Sequence, residues 1–122
     1  MGRAAASGVD FGATAAAGRA FGLNETEMRN AFGIVYSSVA GNHQVTRDAS
    51  LMKRLQPGLA AQGAVVAVQL AKRGIRGAQG VFDGADGFFR VYLHGRADSE
   101  VARKDLGKRF EFLNLKIGRA HV

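Results

Sequence analysis

Lys53 carries the strongest chemical signal in the chain. It stands in Ser50-Leu51-Met52-Lys53-Arg54-Leu55-Gln56-Pro57-Gly58, where a basic pair precedes a run of almost wholly apolar residues from Leu59 to Ala71. An ammonium at a helix entrance can hold a substrate carboxylate, and neutralising that carboxylate eases removal of a proton from the adjacent carbon. His43, in Gly41-Asn42-His43-Gln44 just upstream, is the second candidate, because an imidazole relays protons near neutral pH. Taken by themselves, these residues fit a solvated loop lysine and an ordinary surface histidine better than a site.

Other chemistry finds less support. The three histidines, His43, His94 and His121, have no metal-ligand spacing, and carboxylates do not cluster beside them, so no metal is expected. Gly74, Gly77, Gly80, Gly84 and Gly87 lack both a following Lys-Ser/Thr and a strand-turn-helix context, which makes them turn residues rather than a phosphate cradle. Ser37 and Ser38 have no nucleophile elbow around them. No cofactor is expected.

The elements that must position Lys53 are helical. An alanine-rich helix is predicted over about Gly8 to Phe21, ended by Gly22, with Ala13, Ala15, Ala16, Ala17 and Ala20 allowing close backbone approach. Asn24 and Glu27 have capping-box spacing, Leu23 and Met28 that of a hydrophobic staple, and Met28, Ala31, Phe32, Val35, Tyr36 and Val39 form the stripe of a second helix running to about Ala40. The short connector implies an antiparallel pair. Gly41 to Ser50 reads as a connection. Pro57 suits a first helical turn and pushes Gln56 towards an extended conformation, which places Lys53 just before a helix. That helix carries few polar residues and reads as buried; Lys72, Arg73 and Gly74 mark its end. Between Gly74 and Gly95, Phe82, Phe88, Phe89, Val91, Tyr92 and Leu93 should anchor a folded loop or short helical turns. Asp98 should cap a final helix reaching about Lys108, and Phe110 to Leu115 has strand character.

A chain of 122 residues, 47% of them hydrophobic, fits one modest domain. Without cysteine there is neither a disulfide framework nor a thiolate metal site. No charged-then-apolar leader is visible, and the cytoplasm is the expected location. A net charge of +7 raises nucleic acid or an anionic membrane as partners. The basic residues are scattered over helix ends and solvent-facing positions, however, so neither partner is expected.

The segment KRLQPGLAAQGAVVAVQLAKRG resembles the "KRLHPG-A-A" stretch of the MmgE/PrpD family, which contains 2-methylcitrate dehydratase and cis-aconitate decarboxylase. Collinear segments agree: Gly12 to Leu23 is similar to the family's alanine-rich helix closing in "LGL", Asn30 to Ile34 to its "ALGIA" helix, Val81 to Phe89 to its "VLEG-GF" turn, and Leu106 to Glu111 to its "LG-W-I" entry into a second domain. The resemblance covers about residues 8 to 115. It implies a mainly α fold, an antiparallel helical bundle belonging to the family's all-helical domain, with the first strand of an α+β domain at its end. It also implies a lyase acting on di- or tricarboxylic acids, a homodimeric parent, and a place for Lys53 in the carboxylate-binding pocket. Gln56 replaces the family's common histidine, and Arg3 stands near the place of its usual catalytic histidine.

Lys116-Ile117-Gly118-Arg119-Ala120-His121-Val122 matches one reading frame of a common sequencing-adapter read-through, nAG ATC GGA AGA GCA CAC GTC. The expectation is therefore a fragment of a larger enzyme: a partial helical domain over 1–108, the start of a second domain over 109–115, and a non-biological tail over 116–122, inactive alone. Without Lys116 and Arg119 the excess of basic residues falls from seven to five. The competing reading is a small basic helical module that binds nucleic acid or an acidic partner without chemistry.

Overall fold

The computed structural model describes residues 2–114, in the order α1 (Gly2–Ala20), α2 (Glu25–Tyr36), α3 (Gln44–Arg47), α4 (Met52–Lys72), α5 (Phe88–Leu93) and α6 (Ser99–Arg103), followed by a 3-10 turn over Glu111–Asn114. Helices α1, α2 and α4 pack mutually, and α5 and the turns before it close one end of this trio. Among the described residues every regular element is helical, which is the expected fold class.

Local chemistry explains most boundaries. Asn24 Oδ1 accepts the Glu27 N–H at 2.9 Å while the Glu27 carboxylate accepts the Asn24 N–H at 2.9 Å, completing the expected capping box. Gly22 and Gly74 have φ of +66° and +88°. Around them Leu23 N–H reaches Gly18 O at 3.0 Å and Ile75 N–H reaches Leu70 O at 3.1 Å, the long bonds that satisfy the last carbonyls of α1 and α4. The Asp98 carboxylate caps α6 by accepting the Glu100 N–H at 2.8 Å.

The main core is aromatic. Phe11 lies between Phe82, 5.0 Å away between ring centres, and Phe88, 5.2 Å away edge-on, with Phe32 and Tyr36 behind them; such tilted pairs add to what burial alone contributes. Val35, Val39, Ala67 and Val81 complete the cluster. Tyr36 donates its hydroxyl to Asp86 O at 2.8 Å and Tyr92 donates to Val39 O at 3.0 Å, fastening α5 and its preceding turn onto the end of α2. A second cluster, Ala31, Val68 and Ala71, joins α2 to α4.

Asp10 is the anomaly in this interior. It is 5% exposed, and among the described residues its Oδ2 has no hydrogen-bond partner. Burial raises its carboxyl above the ordinary carboxylate value. The folded state therefore holds this proton more tightly than the unfolded chain. The penalty is absent below the unfolded value and grows as pH rises through the folded one. Asp10→Asn should raise the urea midpoint at neutral pH and flatten its decline between acid and neutral pH; an unchanged pH profile would show that Asp10 imposes no such cost.

Five expectations need correction. Helix α4 starts at Met52, so Lys53 and Gln56 are helical and Pro57 sits inside the helix rather than in its first turn; Ser50 and Leu51 nucleate the helix early by accepting the next N–H groups, and the missing Pro57 N–H costs one internal bond without stopping propagation. Nor is α4 buried throughout. Only Ala64, Ala67, Val68 and Ala71 are buried, whereas Leu55 and Leu59 are 57% and 54% exposed, because the small-residue face alone meets α1 and α2. The connection from Gly41 to Ser50 contains the short helix α3, and α6 ends at Arg103. The expected strand is instead the 3-10 turn Glu111–Asn114: no neighbouring strand is present among the described residues to take its backbone bonds, whereas i→i+3 bonding supplies them locally. Leu115 and the adapter-like residues lie outside the described residues.

Candidate functional site

The candidate site is built on the junction of α3 and α4. Asn42 Oδ1 accepts the Val45 N–H at 3.3 Å, which starts α3, and the His43 carbonyl accepts from Thr46 N–H at 3.1 Å. The turn leaving α3 passes through Ala49 at φ +49°, a left-handed conformation that a residue with a Cβ adopts only at a cost of about 1 kcal/mol. Ser50 then begins α4: its hydroxyl accepts the Met52 N–H at 3.2 Å and its carbonyl the Lys53 N–H at 3.2 Å, while Leu51 O accepts the Arg54 N–H at 3.0 Å.

This arrangement decides how an anion would be held here. The first three helical N–H groups are already occupied, so the backbone is not the anion-binding element that an open helix N-terminus provides. The cations are Lys53 and Arg54 themselves, both exposed. Among the described residues no carboxylate pairs with either, the ion pair there being Arg29 with Glu25. Neither has an acidic neighbour in the first turn. Two positive side chains at the positive end of a helix oppose the macrodipole by about 0.3–1 kcal/mol each, a local conflict of the kind that marks functional positions.

His43 lies exposed at the N-terminal boundary of α3, and its side chain makes no capping bond. A tie that sequence reading had not found connects its loop to α4: Gln56 Nε2 donates to Asn42 O at 3.3 Å. The histidine loop is thus attached to the turn that follows Lys53. Spacing alone could not reveal this bond, because it runs from a side chain to a loop carbonyl. His94 lies apart from this junction, at the end of α5. His121 lies outside the described residues, and among them no three His, Asp or Glu side chains converge as a metal site.

Among the described residues the architecture is all-helical, with an exposed cationic junction at the head of α4. A model of the MmgE/PrpD N-terminal domain matches residues 3–100, and the chain belongs to the MmgE/PrpD family. No curated protein and no solved structure gives a match. Among the described residues no helix is long and apolar enough to cross a membrane.

Proposed function

We propose that the chain is part of a lyase acting on di- or tricarboxylic acids, of the 2-methylcitrate dehydratase or cis-aconitate decarboxylase kind, with Lys53 as a carboxylate-binding cation. The observation that carries this reading is the exposed Lys53 and Arg54 at the head of α4, with which no carboxylate pairs among the described residues, within the segment that the family match includes. An ammonium against one carboxylate of the substrate reduces the repulsion that opposes carbanion character at the neighbouring carbon. A base then takes the proton from that carbon, and the electron pair forms the double bond as hydroxide leaves and is protonated to water. In a decarboxylating relative acting on an unsaturated acid the carbon–carbon bond to carbon dioxide breaks instead, its electron pair forms a new double bond as the old one shifts, and the carbon beside the retained carboxylate receives a proton. His43 is the proton-relay candidate on this chain, held near the junction by Asn42 and Gln56. The matched region is an N-terminal domain, and the reading assigns the other groups of the site to further segments of a homodimeric parent.

The test is an assay of the complete reading frame, and of residues 1–122 alone, with citrate-like acids, following product by proton NMR. Conversion by the complete protein and none by residues 1–122 is the expected result. Lack of turnover by the complete protein, together with nucleic-acid binding that weakens steeply with salt, would replace the lyase reading by the basic-module one.

A further inference from the structure

Beside α5 lies a concave surface, a cleft of about 520 Å³ that no residue of α4 lines. Its size falls within the range of small-molecule sites. Phe82 and Phe89 form an apolar wall, their ring centres 5.8 Å apart. Arg90 from α5, His94 at the helix end, Ser99 at the start of α6 and Asp83 from the preceding turn supply the polar lining.

Two features set this cleft apart from an ordinary surface depression. His94 has φ +53° and Gly95 φ +69°, so the chain makes two consecutive left-handed steps, the first at a residue with a Cβ, and the Gly95 N–H closes the turn on Phe89 O at 3.0 Å. That bend leaves His94 lining the same cleft as Arg90, one helical turn earlier. Arg90 and Asp83 share the cleft without approaching within ion-pair distance, and among the described residues no other carboxylate pairs with Arg90. An unneutralised guanidinium beside an aromatic wall suits a planar oxyanion, which it can engage through two parallel N–H groups.

We propose that this cleft binds a small molecule bearing an oxyanion, carboxylate or phosphate, on an aromatic or similarly flat apolar body. Arg90 holds the oxyanion, Ser99 and His94 add donors, Phe82 and Phe89 receive the body, and Asp83 accepts from a hydroxyl or amide of the ligand. The site is independent of Lys53 and does not rest on the lyase reading.

The test is titration of the full chain with benzoate and, separately, phenyl phosphate, followed by amide chemical shifts. Saturable shifts centred on Phe82, Phe89, Gly95 and Ser99 are expected, and the tighter probe identifies the oxyanion. Arg90→Gln should weaken binding by about tenfold or more, as loss of a charge-assisted hydrogen bond predicts, while Lys53→Ala leaves it unchanged. Should Arg90→Gln unfold, Arg90→Lys keeps the charge but loses the paired geometry and should weaken binding measurably. Absence of saturable shifts with both probes, shifts centred on the head of α4, or affinity unaltered by the folded Arg90 variant would each overturn the proposal.

Discussion

Gly33→Ala is expected to destabilise the protein by about 3–5 kcal/mol, the range of the severest core changes. The sign is the informative part, since glycine to alanine inside a helix ordinarily stabilises by about 1 kcal/mol. Gly33 lies in the middle of α2, and a Cβ there would run into the backbone N and O of Ala78 and the carbonyl carbon of Gly77. A Cβ on Gly77 would in turn meet Asn30 O and Ile34 N. Main-chain atoms cannot swing aside as a flexible side chain can, so α2 and the segment around Gly77 would have to part. Separation would also break the bonds that Asn30 Oδ1 accepts from Gly77 N–H at 3.4 Å and Gln79 Nε2 at 3.0 Å, leaving a buried amide unpaired at about 1–3 kcal/mol. Urea unfolding should show a lower midpoint at unchanged slope for Gly33→Ala and for Gly77→Ala. The double variant should cost less than the sum, because either Cβ already forces the same separation. A midpoint equal to or above the parent's for Gly33→Ala would contradict the close approach.

The contrast between α2 and α4 shows what a single sequence discloses. The start of α2 depends on Asn24 and Glu27 alone, and the ends of α1 and α4 on Gly22 and Gly74; a bond completed within a few residues leaves its signature in those residues. Partners across the fold leave none. Gly33 and Gly77 fit a helix position and a turn by type, and only the folded chain shows that their backbones meet. The apolar run of α4 fitted burial on all sides, yet burial needs facing surfaces, and only the alanine-lined side has them among the described residues. Pro57 looked like a helix start because proline is the stronger signal, whereas the start at Ser50 rests on one serine hydroxyl and on the Ser50 and Leu51 carbonyls, which any residue type carries. At the candidate site the same division holds. Lys53 was legible from its segment, whereas the Gln56 tie to Asn42 and the left-handed Ala49 became visible only with the chain folded.

In the proposed lyase, Lys53→Ala should lower turnover by about 10²–10³-fold, the usual loss when one positioned stabiliser of developing charge is removed. Stability should move the other way. The Lys53 side chain is exposed and makes no bond among the described residues, and deleting a cation from the positive end of α4 relieves about 0.3–1 kcal/mol of unfavourable dipole interaction. Opposite signs for activity and stability separate a binding lysine from a structural one, whose removal would lower both. The kinetic parameters separate two further roles: a lysine that only gathers substrate raises KM at constant kcat, while one that neutralises the carboxylate as the neighbouring proton leaves lowers kcat. Because the first backbone N–H groups of α4 are engaged by Ser50 and Leu51, no main-chain anion site remains there to compensate for the lost ammonium. Arg54→Ala is the matched control, since it removes an equal charge from the same helical turn and should leave most of the turnover intact. Equal losses for the two variants would mean that the head of α4 supplies only a diffuse positive field, and unchanged kinetics for Lys53→Ala would remove it from the site.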